Sequence, residues 1–589
     1  MSKLRGTLLI ITALLPALSY AQTSVGGVIS SDAVWTIDGS PYIALDTVAV
    51  NAGVKLSIQP GVTVKFDRRM ILQIKGTLVA RGTADSMITF TSNQGSPLPG
   101  DWGSIQFTNT STSAAFDSSG SYTSGCILEY CTIELSSSGL LYNAASPYVN
   151  QSTIQRTAGN AITIVQHGTI ASIIIRNSTI QNNRNVGIFS SAGGKILIEN
   201  NKILSNETGI FQSSAASTMI VRKNIVYYNY GSGMSSLNAN HDTVSMNVFA
   251  VNGQALTFES TGTYFVSGNN FTANFGVDRS ALFFDLILGP SLSATFVKNL
   301  LQTNTGTATV LLNDTSGLSS GLHFQMANCN FVDNTAPYEL NNTTFQNQVA
   351  QNNWWGTDSD TVVQSRIYDH SDSLTGSYGT VNYSPYLTSM DTSAPIASPS
   401  NVAKSGVSAG VKISWSPVAP VADLAGYKVY YGSPTGISFS HVVDVGNVTN
   451  HTLSGLTTGD TIAVTAYDAL ADGIDDQLEG HESWFRQASL VSSVNDYHAL
   501  LPKAFSLDQN FPNPFNPSTS ISFSIPTRTH IRLQVINLLG QVIATLSDED
   551  KQPGTYSVTW GAATEPSGIY FYRMTAGNFV QTKKAILLK

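Results

Sequence analysis

Charged residues and cysteine are both scarce in this sequence. Asp, Glu, Lys and Arg together make up 12% of the 589 residues, and there are three cysteines. Ordinary soluble proteins carry about 25% charged residues. So few cysteines exclude a disulfide-rich scaffold, and a net charge of −8 does not fit a typical nucleic-acid binder, which is basic. The hydrophobic content of 42% argues against intrinsic disorder, so we expect a folded chain with a largely neutral polar surface.

The N-terminus has the three parts of a Sec signal peptide. A basic start is followed by an almost wholly apolar run over residues 7–18 and then by small residues. We therefore predict a signal peptide over residues 1–21, cleaved between Ala21 and Gln22. The alternative is a membrane anchor, but the apolar run is shorter than the roughly 20 residues that a span requires. No cysteine follows the cleavage point, which argues against a lipoprotein.

The cysteines do not show the spacing of a metal site. The sequence has no Cys-x-x-Cys pair and no Cys/His cluster, so we predict neither a metal nor another cofactor. Cys126 and Cys131 are five residues apart, which places them on opposite faces of a regular strand. Export permits a disulfide between them as an alternative, but buried free thiols are the expected state for these two and for Cys329.

A short motif recurs along the middle of the chain. An apolar residue, nearly always preceded by Asn, Ser or Thr, returns at intervals of 21, 26, 23, 22, 23, 23, 29 and 31 residues, at Ile133, Ile154, Ile180, Ile203, Ile225, Val248, Phe271, Leu300 and Phe331. Most copies are soon followed by another Asn, at Asn183, Asn206, Asn229, Asn252, Asn274, Asn304 and Asn334. Such repetition predicts a solenoid in which each repeat packs against its neighbours.

The apolar runs of the repeat predict strands. They are short and β-branched, as in residues 173–175 and 196–198, and Gly and Asn separate them. The Leu-x-x-Leu-x-Leu pattern and the helical half of leucine-rich repeats are missing. We predict an all-β fold: a right-handed parallel β-helix over residues 22–388, followed by two β-sandwich domains. Asn at a turn tolerates positive φ, and equivalent Asn side chains can form amide ladders between coils about 4.8 Å apart.

Neutral amides also account for the low charge. Residues 131–357 contain 30 Asn against 19 charged residues. In stacked coils a column of like charges would repel at every step. Arg176, Glu199 and Arg222 are 23 residues apart, so we expect them to alternate in sign along one column. A surface ion-pair column worth about 1 kcal/mol or less per pair is the simpler interpretation, and a binding stripe is the alternative.

Both ends of the solenoid carry a family resemblance. Residues 50–66 alternate between apolar and polar positions around a Pro-Gly hinge. Residues 72–107 continue as short strands, and the last of these segments begins at Trp102. These segments resemble the opening coils of bacterial right-handed β-helix surface proteins, and the Asn-Asn-Trp-Trp-Gly-Thr segment resembles their last coil. We interpret Trp354 and Trp355 as a plug over the last coil, since an open sheet edge needs covering. A sugar-binding platform is the alternative.

Two further modules follow a Pro/Ser-rich linker predicted at residues 389–400. Residues 401–492 resemble a fibronectin type III domain, with Trp415 on one strand and the Tyr-Lys-Val-Tyr-Tyr run on the next. The sequence departs from that family at Ile462, where a Tyr usually begins a corner. Such modules usually act as spacers, and we predict no catalytic cluster in this one.

The last module, residues 505–589 after a second linker at 493–504, resembles the type A C-terminal sorting domain of the type IX secretion system. The residues that carry the resemblance are Pro512, Asn513, Pro514, Gly540, Gln541, Gly568, Tyr570, Lys583 and Lys584. The resemblance implies passage across the outer membrane of a Gram-negative bacterium of the Bacteroidota group or its relatives. It also implies removal of the module by a sortase-like peptidase, with anchoring to surface lipopolysaccharide or release.

Polysaccharide enzymes built on a β-helix need a local cluster of charged residues. The acids of the repeats are scattered, and the motif set of polygalacturonases is missing. The best available cluster joins a basic pair to an acid and a histidine one coil on, namely Arg222, Lys223, His241 and Asp242, with Glu259 and Asp278–Arg279 beyond. His167, His323 and His370 stand alone and are expected to be solvated or capping residues.

Two hypotheses of function follow. The favoured one is an exported, non-catalytic β-helix protein, secreted or held at the cell surface, that serves in adhesion, glycan binding or structural display. The alternative is a polysaccharide lyase or glycoside hydrolase that acts in a groove on the β-helix. The expected partners are the type IX translocon, the sortase-like peptidase, and surface lipopolysaccharide or an extracellular glycan. Nucleic acid and a transmembrane span are not expected.

Overall fold

The structure, a computed structural model, describes residues 22–165, 172–276, 280–285, 291–315, 321–373, 376–418, 424–433, 437–490, 504–510, 513–526, 529–551 and 554–588. The predicted signal peptide, His167, Asp278, Arg279, Pro512 and most of the linker 493–504 lie outside these residues. The chain divides into two compact units, residues 1–490 and 491–589. Within the described residues, no helix has the length and apolar character needed to cross a membrane.

The first unit begins with a parallel β-helix, as predicted. Its coils wind through three columns of parallel strands, and each strand pairs with its equivalents in the coils before and after. Column 1 consists of Ala33–Trp35, Lys55–Ile58, Thr77–Arg81, Ile127–Glu129, Tyr148–Asn150, Ile173–Arg176, Gly194–Glu199, Ser217–Arg222, Asp242–Ser245, the second half of Gln254–Ser267, Leu292–Val297, Leu322–Ala327, Gln348–Val349 and Val381–Asn382.

The other two columns share two long strands near the start of the chain, Thr23–Ile29 and Tyr42–Val50, which bend between them. Column 2 consists of the first halves of Thr23–Ile29 and Tyr42–Val50, then Thr63–Phe66, Ile88–Ser92, Cys131–Glu134, Thr153–Gln155, Thr179–Gln181, Lys202–Leu204, Ile225–Tyr227, Val248–Ala250, Asn270–Thr272, Leu300–Gln302 and Asn330–Val332. Column 3 consists of the second halves of the same two strands, then Leu72–Ile74, Ile105–Phe107, Leu140–Asn143, Ile162–Val165, Val186–Ser190, Thr208–Gln212, Ser232–Asn238, the first half of Gln254–Ser267, Ser280–Asp285, Ala308–Asn313, Tyr338–Asn342 and Ile367–Tyr368.

Alternate residues of each strand point into the coil and form one continuous core. In column 1, Ile173, Ile175 and their partners in the next coils, Ile196 and Ile198, are fully buried. Burying one such side chain is worth about 1.5–3 kcal/mol, so the stacked strands supply the stability that a single coil lacks. A hairpin of Ala115–Phe116 and Tyr122–Ser124 covers part of column 1 from outside, and the short helix Asp360–Ser365 brings Val363 into the core near the last coils.

Two asparagine ladders run through the turns on either side of column 2. In the first, each side-chain amide donates to the carbonyl oxygen of the next Asn at 2.9–3.0 Å, through Asn201, Asn224, Asn247, Asn269 and Asn299. The second ladder has the same bonds at 2.9–3.2 Å, through Asn183, Asn206, Asn229, Asn252, Asn274, Asn304 and Asn334. The predicted amide ladders are therefore present, and nearly all their members are almost fully buried.

Positive φ is found, as expected, at turn residues such as Asn177, Asn182 and Asn200, but not at the ladder Asn residues themselves. The left-handed backbone position of each turn is the residue before the ladder Asn, and side chains as different as Lys223, Tyr228, Met246 and Val251 occupy it. The ladder Asn is retained for its hydrogen bonds. Its amide also satisfies the carbonyl group of the preceding coil, as Asn229 does for Ile203.

The rest of the first unit is an antiparallel sandwich, here called the middle sandwich (residues 400–490). One sheet has the order Asn450–Leu453, Gly410–Ser416, Ser400–Val407, Ser489–Leu490, and the other has His441–Gly446, Leu424–Tyr431, Ile462–Asp468, Arg486–Gln487. A short helix, Asp476–Glu479, precedes the last strands. Trp415, Tyr427 and Ile462 are buried in its core.

The second unit, here called the C-terminal sandwich (residues 504–588), has two antiparallel sheets. Three strands form the first, Ser506–Leu507, Ser518–Ile525 and Gly554–Gly561, and four form the second, in the order Val542–Lys551, Thr529–Ile536, Gly568–Ala576, Phe579–Leu587. Their facing sides enclose a core that includes Phe523, Leu533 and Tyr572. The all-β prediction of a β-helix followed by two sandwiches is confirmed.

Candidate functional site

The structure does not bring the four candidate catalytic residues together. Arg222 ends a column 1 strand, and its Nε lies 2.5 Å from Glu199 Oε1. Lys223 occupies the following turn and points to the middle sandwich, where its Nζ lies 2.7 Å from Glu479 Oε1. His241 is exposed, whereas Asp242 is fully buried inside the coil. The structure therefore places these four side chains in different surroundings and not in one groove.

Asp242 occupies a core position that other coils fill with apolar side chains. The same position holds Ile173, Ile196 and Met219 in the three preceding coils. Its Oδ1 accepts the backbone N–H of Met219 at 2.8 Å, and Gln212 and Ser236 lie at the edge of hydrogen-bond range. Burial raises the pKa of Asp242 to about 7, against the smaller lowering effect of these bonds. A carboxyl group so enclosed cannot reach an external polymer.

Column 1 does carry the predicted charge column. The register pairs Arg176 with Glu199 and Glu199 with Arg222 in successive coils, and the arginine Nε atoms lie 2.7 and 2.5 Å from the Glu199 oxygens. Asn150, Asn177 and Asn200 form a further amide row beside it. The alternation in sign that the spacing predicts is confirmed.

An apolar stripe runs next to this charge column on the outside of column 1. Register places Ile174, Leu197 and Ile220 one above another, and the stripe continues through Thr243 to Phe265, which is 39% exposed. Further along, a shallow pocket of about 150 Å³ opens at the end of the stripe, lined among others by Thr295, Gln325, Val349 and Asn352. The part of this outer side that the hairpin does not cover, from Leu197 to Asn352, is called the open face below.

The outer side of column 2, in contrast, is covered by the middle sandwich. Trp484 and Leu478 pack on Val248, Ala250 and Val251. All three residues of Val248–Ala250 and of Leu300–Gln302 are buried, although alternate residues of a strand point outward. Val248 points outward at the position that Lys202 occupies two coils earlier. An apolar residue at an outward position indicates that another domain packs there.

The predicted linker 389–400 takes part in this contact. Residues 394–399 are buried, and the side chain of Gln302 bonds the backbone of Ser398 in both directions, at 2.9 and 3.0 Å. Asn330 holds the backbone of Asp391 in the same way, at 2.8 and 2.9 Å. The middle sandwich thus packs on the β-helix both through its own side chains and through the preceding segment.

The remaining sequence predictions concern single side chains. All three cysteines are buried and free, and burial raises the pKa of Cys126 to about 11. Trp355 is 2% exposed and stacks on Phe331 with their ring centroids 4.8 Å apart, and Trp354 is 7% exposed. Because both rings are buried, neither offers a platform for a sugar. Their burial agrees with the interpretation of these residues as a plug. His323 and His370 are exposed, the latter with Nδ1 2.9 Å from Tyr378 O.

The residues of the sorting-domain resemblance fix the edges of the C-terminal sandwich. Asn513 bonds the last strand twice, since its Oδ1 accepts the N–H of Ile586 at 2.9 Å and its Nδ2 donates to Lys584 O at 3.2 Å. Pro514 follows in this segment. The Tyr570 hydroxyl donates to Pro566 O at 2.7 Å beside Gly568.

Gly540 and Gln541 belong to the turn between two strands of the larger sheet, where Gly540 has φ +80°. Lys583 and Lys584 stand opposite Tyr572 and Phe571 on neighbouring strands. Within the part of the chain that the structure describes, no cluster of three or more His, Cys, Asp or Glu side chains is placed to hold a metal ion.

Two parts of the chain match known families. Residues 89–203 and 116–271 match the family described as right handed beta helix region, and residues 509–588 match secretion system C-terminal sorting domain. The protein bark beetle of Drosophila melanogaster is 41% identical over 88 residues, which are 14% of this chain and 3% of that protein's length. The chain thus spans a very small part of this curated relative.

Solved structures give low overall similarity. A two-domain fibronectin type III segment of chicken tenascin has 17% identity and a TM-score of 0.12, over 33% of this chain and 99% of that one. The enzymatically active domain of a bacteriophage CBA120 tailspike has 9% identity and a TM-score of 0.24, over 91% of this chain and 63% of that one. The matches support a β-helix protein with a sorting domain that directs it out of a bacterial cell, to the surface or the medium.

Proposed function

We propose that this protein is an exported, non-catalytic binding protein that displays the open face of its β-helix to an extended extracellular glycan. The observation that supports this function is the difference between the columns. The middle sandwich covers the outside of column 2, whereas the open face stays accessible along many coils. Stacked coils repeat the same outward groups about every 4.8 Å, so a long polymer can make equivalent contacts along the face.

The open face offers two kinds of contact with a sugar chain. The apolar stripe that ends in Phe265 can pack against the apolar faces of sugar rings. The amide and charge columns beside it present donors and acceptors, and Arg222 keeps a 47% exposed side chain. Binding that needs both stripe and column favours a linear glycan over a small molecule.

Retention of the purified full chain on a panel of immobilised polysaccharides tests this proposal. We expect retention on one class of glycan without the appearance of reducing or unsaturated ends. The double variant Phe265→Ala/Val349→Ala should lose retention at least tenfold, while Val28→Ala, an exposed valine near the first coil, should not. Equal retention of all three proteins would contradict the assignment to the open face.

The enzyme hypothesis keeps one observation in its favour. Glu259 and Asp285 are register neighbours on column 3, so their backbones lie one coil apart. Paired carboxylates are the usual machinery of glycoside hydrolysis. Asp285, however, is 3% exposed and accepts two hydrogen bonds from Thr315 at 3.1 Å. Product formation that Glu259→Gln and Asp285→Asn abolish, but Glu207→Gln does not, would establish this second function.

The export route is part of the proposal. A mature N-terminus at Gln22, read by peptide sequencing, would support cleavage of the signal peptide after Ala21. Deletion of residues 505–589 should leave the protein in the periplasm, and it should stop the removal of the sorting domain and any attachment to lipopolysaccharide. Surface labelling that survives the deletion would show that another signal directs export.

A further inference from the structure

The C-terminal sandwich exposes large apolar side chains at one end of its four-stranded sheet. Leu538 and Leu539, in the turn between two strands, are 69% and 83% exposed. Val542, which begins the next strand, is 51% exposed, and Ile569 is 41% exposed. Solvent-exposed leucines in such number are unusual for a small domain, because water penalises them and the core gains nothing from them.

Strand register places these residues beside one another. Ile536 pairs with Val542 across the turn and with Phe571 on the other side. One step further along, Ile569 pairs with Ile586, and Leu588 follows at 55% exposure. We call the exposed members of this set, Leu538, Leu539, Val542, Ile569 and Leu588, together with the partly exposed Phe571 and Ile586, the apolar end patch.

The turn that carries the two leucines is held in one conformation. The Asn537 Oδ1 accepts the backbone N–H groups of Leu539 and Gln541, both at 3.0 Å, and the Asn537 Nδ2 donates to Gln541 Oε1 at 2.9 Å. Gly540 supplies the left-handed position of this turn. The leucines are therefore presented on a rigid support, which lowers the entropy lost when they bind.

The opposite end of the same sheet is mostly polar, although Val580 is also exposed there, and its polar side chains satisfy one another. Arg532 meets Asp548 at 3.1 Å, and Arg573 donates to Thr582 at 3.2 Å. The core of the domain lies on the other side of the sheet. Folding of the sandwich thus accounts for the polar end and the core, but not for the apolar end patch.

We propose that the apolar end patch is the surface of the sorting domain that the export machinery reads. This inference rests on the proposed export route and names the residues that act in it. Lys584 lies directly opposite Phe571, so the patch has a basic rim. The partner surface is accordingly an apolar groove edged with carboxylates, on a protein of the translocon.

The test compares two substitutions of matched exposure in the full chain, expressed in the native host. Leu538→Ser/Leu539→Ser removes the centre of the patch, and Val580→Ser changes a 58% exposed valine at the polar end of the same sheet. Surface-exposed protein is measured by labelling whole cells, and periplasmic protein by fractionation. We expect the leucine variant to lose at least tenfold in surface protein and the valine variant to stay within twofold of the parent.

Further arms keep the proposal falsifiable. Both variants should keep the unfolding temperature of the parent, and Lys584→Glu, which alters the rim alone, should lower surface protein about threefold. If deletion of residues 505–589 blocks export but the leucine variant is exported normally, the patch assignment is wrong while the export route stands. If the deletion itself has no effect, the export route fails. If the purified parent is a dimer that the leucine variant converts to monomers without loss of export, the patch serves self-association instead.

Discussion

The buried carboxyl group of Asp242 makes the stability of the β-helix depend on pH. Its pKa is raised to about 7 in the folded chain, against about 3.9 in an unfolded chain. Between these values the folded state binds more protons than the unfolded state, so stability falls as pH rises. The contribution is most favourable below about pH 4, where both states are protonated, and the loss is complete above about pH 7.

The magnitude follows from the two pKa values. Integration of proton binding between pH 5 and pH 8 gives a loss of about 2–3 kcal/mol, and the full separation of about 3 pKa units corresponds to about 4 kcal/mol. Asp242→Asn keeps an acceptor for the Met219 N–H but has no proton to lose. The stability that the variant gains over the parent should therefore be about 2–3 kcal/mol larger at pH 8 than at pH 5.

Urea unfolding of the full chain at pH 5 and pH 8, followed by circular dichroism, measures this effect. Glu339, whose pKa burial also raises to about 7, contributes to the parent's pH dependence and remains in the variant, so the difference between the proteins isolates Asp242. Asp38→Asn, at an exposed position, is the control. An Asp242→Asn variant that is less stable than the parent at pH 8 would refute the reasoning, because it would mean that the ionised carboxylate stabilises the core.

Four further outcomes are expected. Asn229→Ala removes a buried ladder member and leaves the Asn206 N–H groups and the Ile203 carbonyl without their partner, so it should cost about 3–4 kcal/mol in urea unfolding, whereas Asn143→Ala, at an exposed position, should cost less than about 0.5 kcal/mol. Glu199→Gln weakens two partly exposed ion pairs and should cost about 1–2 kcal/mol at low salt and less at 1 M salt. Trp484→Ala should loosen the middle sandwich, seen as faster hydrogen exchange in the covered column 2 strands and faster proteolysis of residues 389–400. Cys126, with its raised pKa and full burial, should resist alkylation at pH 8 in the native chain and react once the chain is unfolded; rapid native reaction would contradict its placement.

Part of the coil register follows from the sequence, because several consecutive coils keep a step of 22 or 23 residues. Steps of 23 residues align Arg176 with Glu199, and the Asn positions align equally well, so the ladders and the charge column could be predicted. The same arithmetic places Asp242 23 residues after Met219, in a core position, but an acid is ordinarily read as a surface residue. The 23-residue spacing alone predicts that Asp242 is buried, and a buried residue cannot belong to a site on the surface.

The packing of the middle sandwich was harder to predict. It depends on outward side chains such as Val248 and Leu300, which a strand pattern alone assigns to an ordinary buried strand. Whether such a face meets another domain or a partner depends on contacts between residues far apart in sequence, for example Lys223 with Glu479. The open face could not be predicted from the sequence, because its identification depends on knowing that the middle sandwich covers column 2.

The direction of the amide ladders has a consequence for how the chain folds. Each ladder Asn donates its side-chain and backbone N–H to the following coil, as Asn206 does to Asn229, so a coil without its successor keeps unsatisfied donors. A growing β-helix therefore always ends in a template that attracts the next segment of its own chain. Folding that starts from the N-terminal coils therefore adds each later coil to an end that already offers its hydrogen-bond donors.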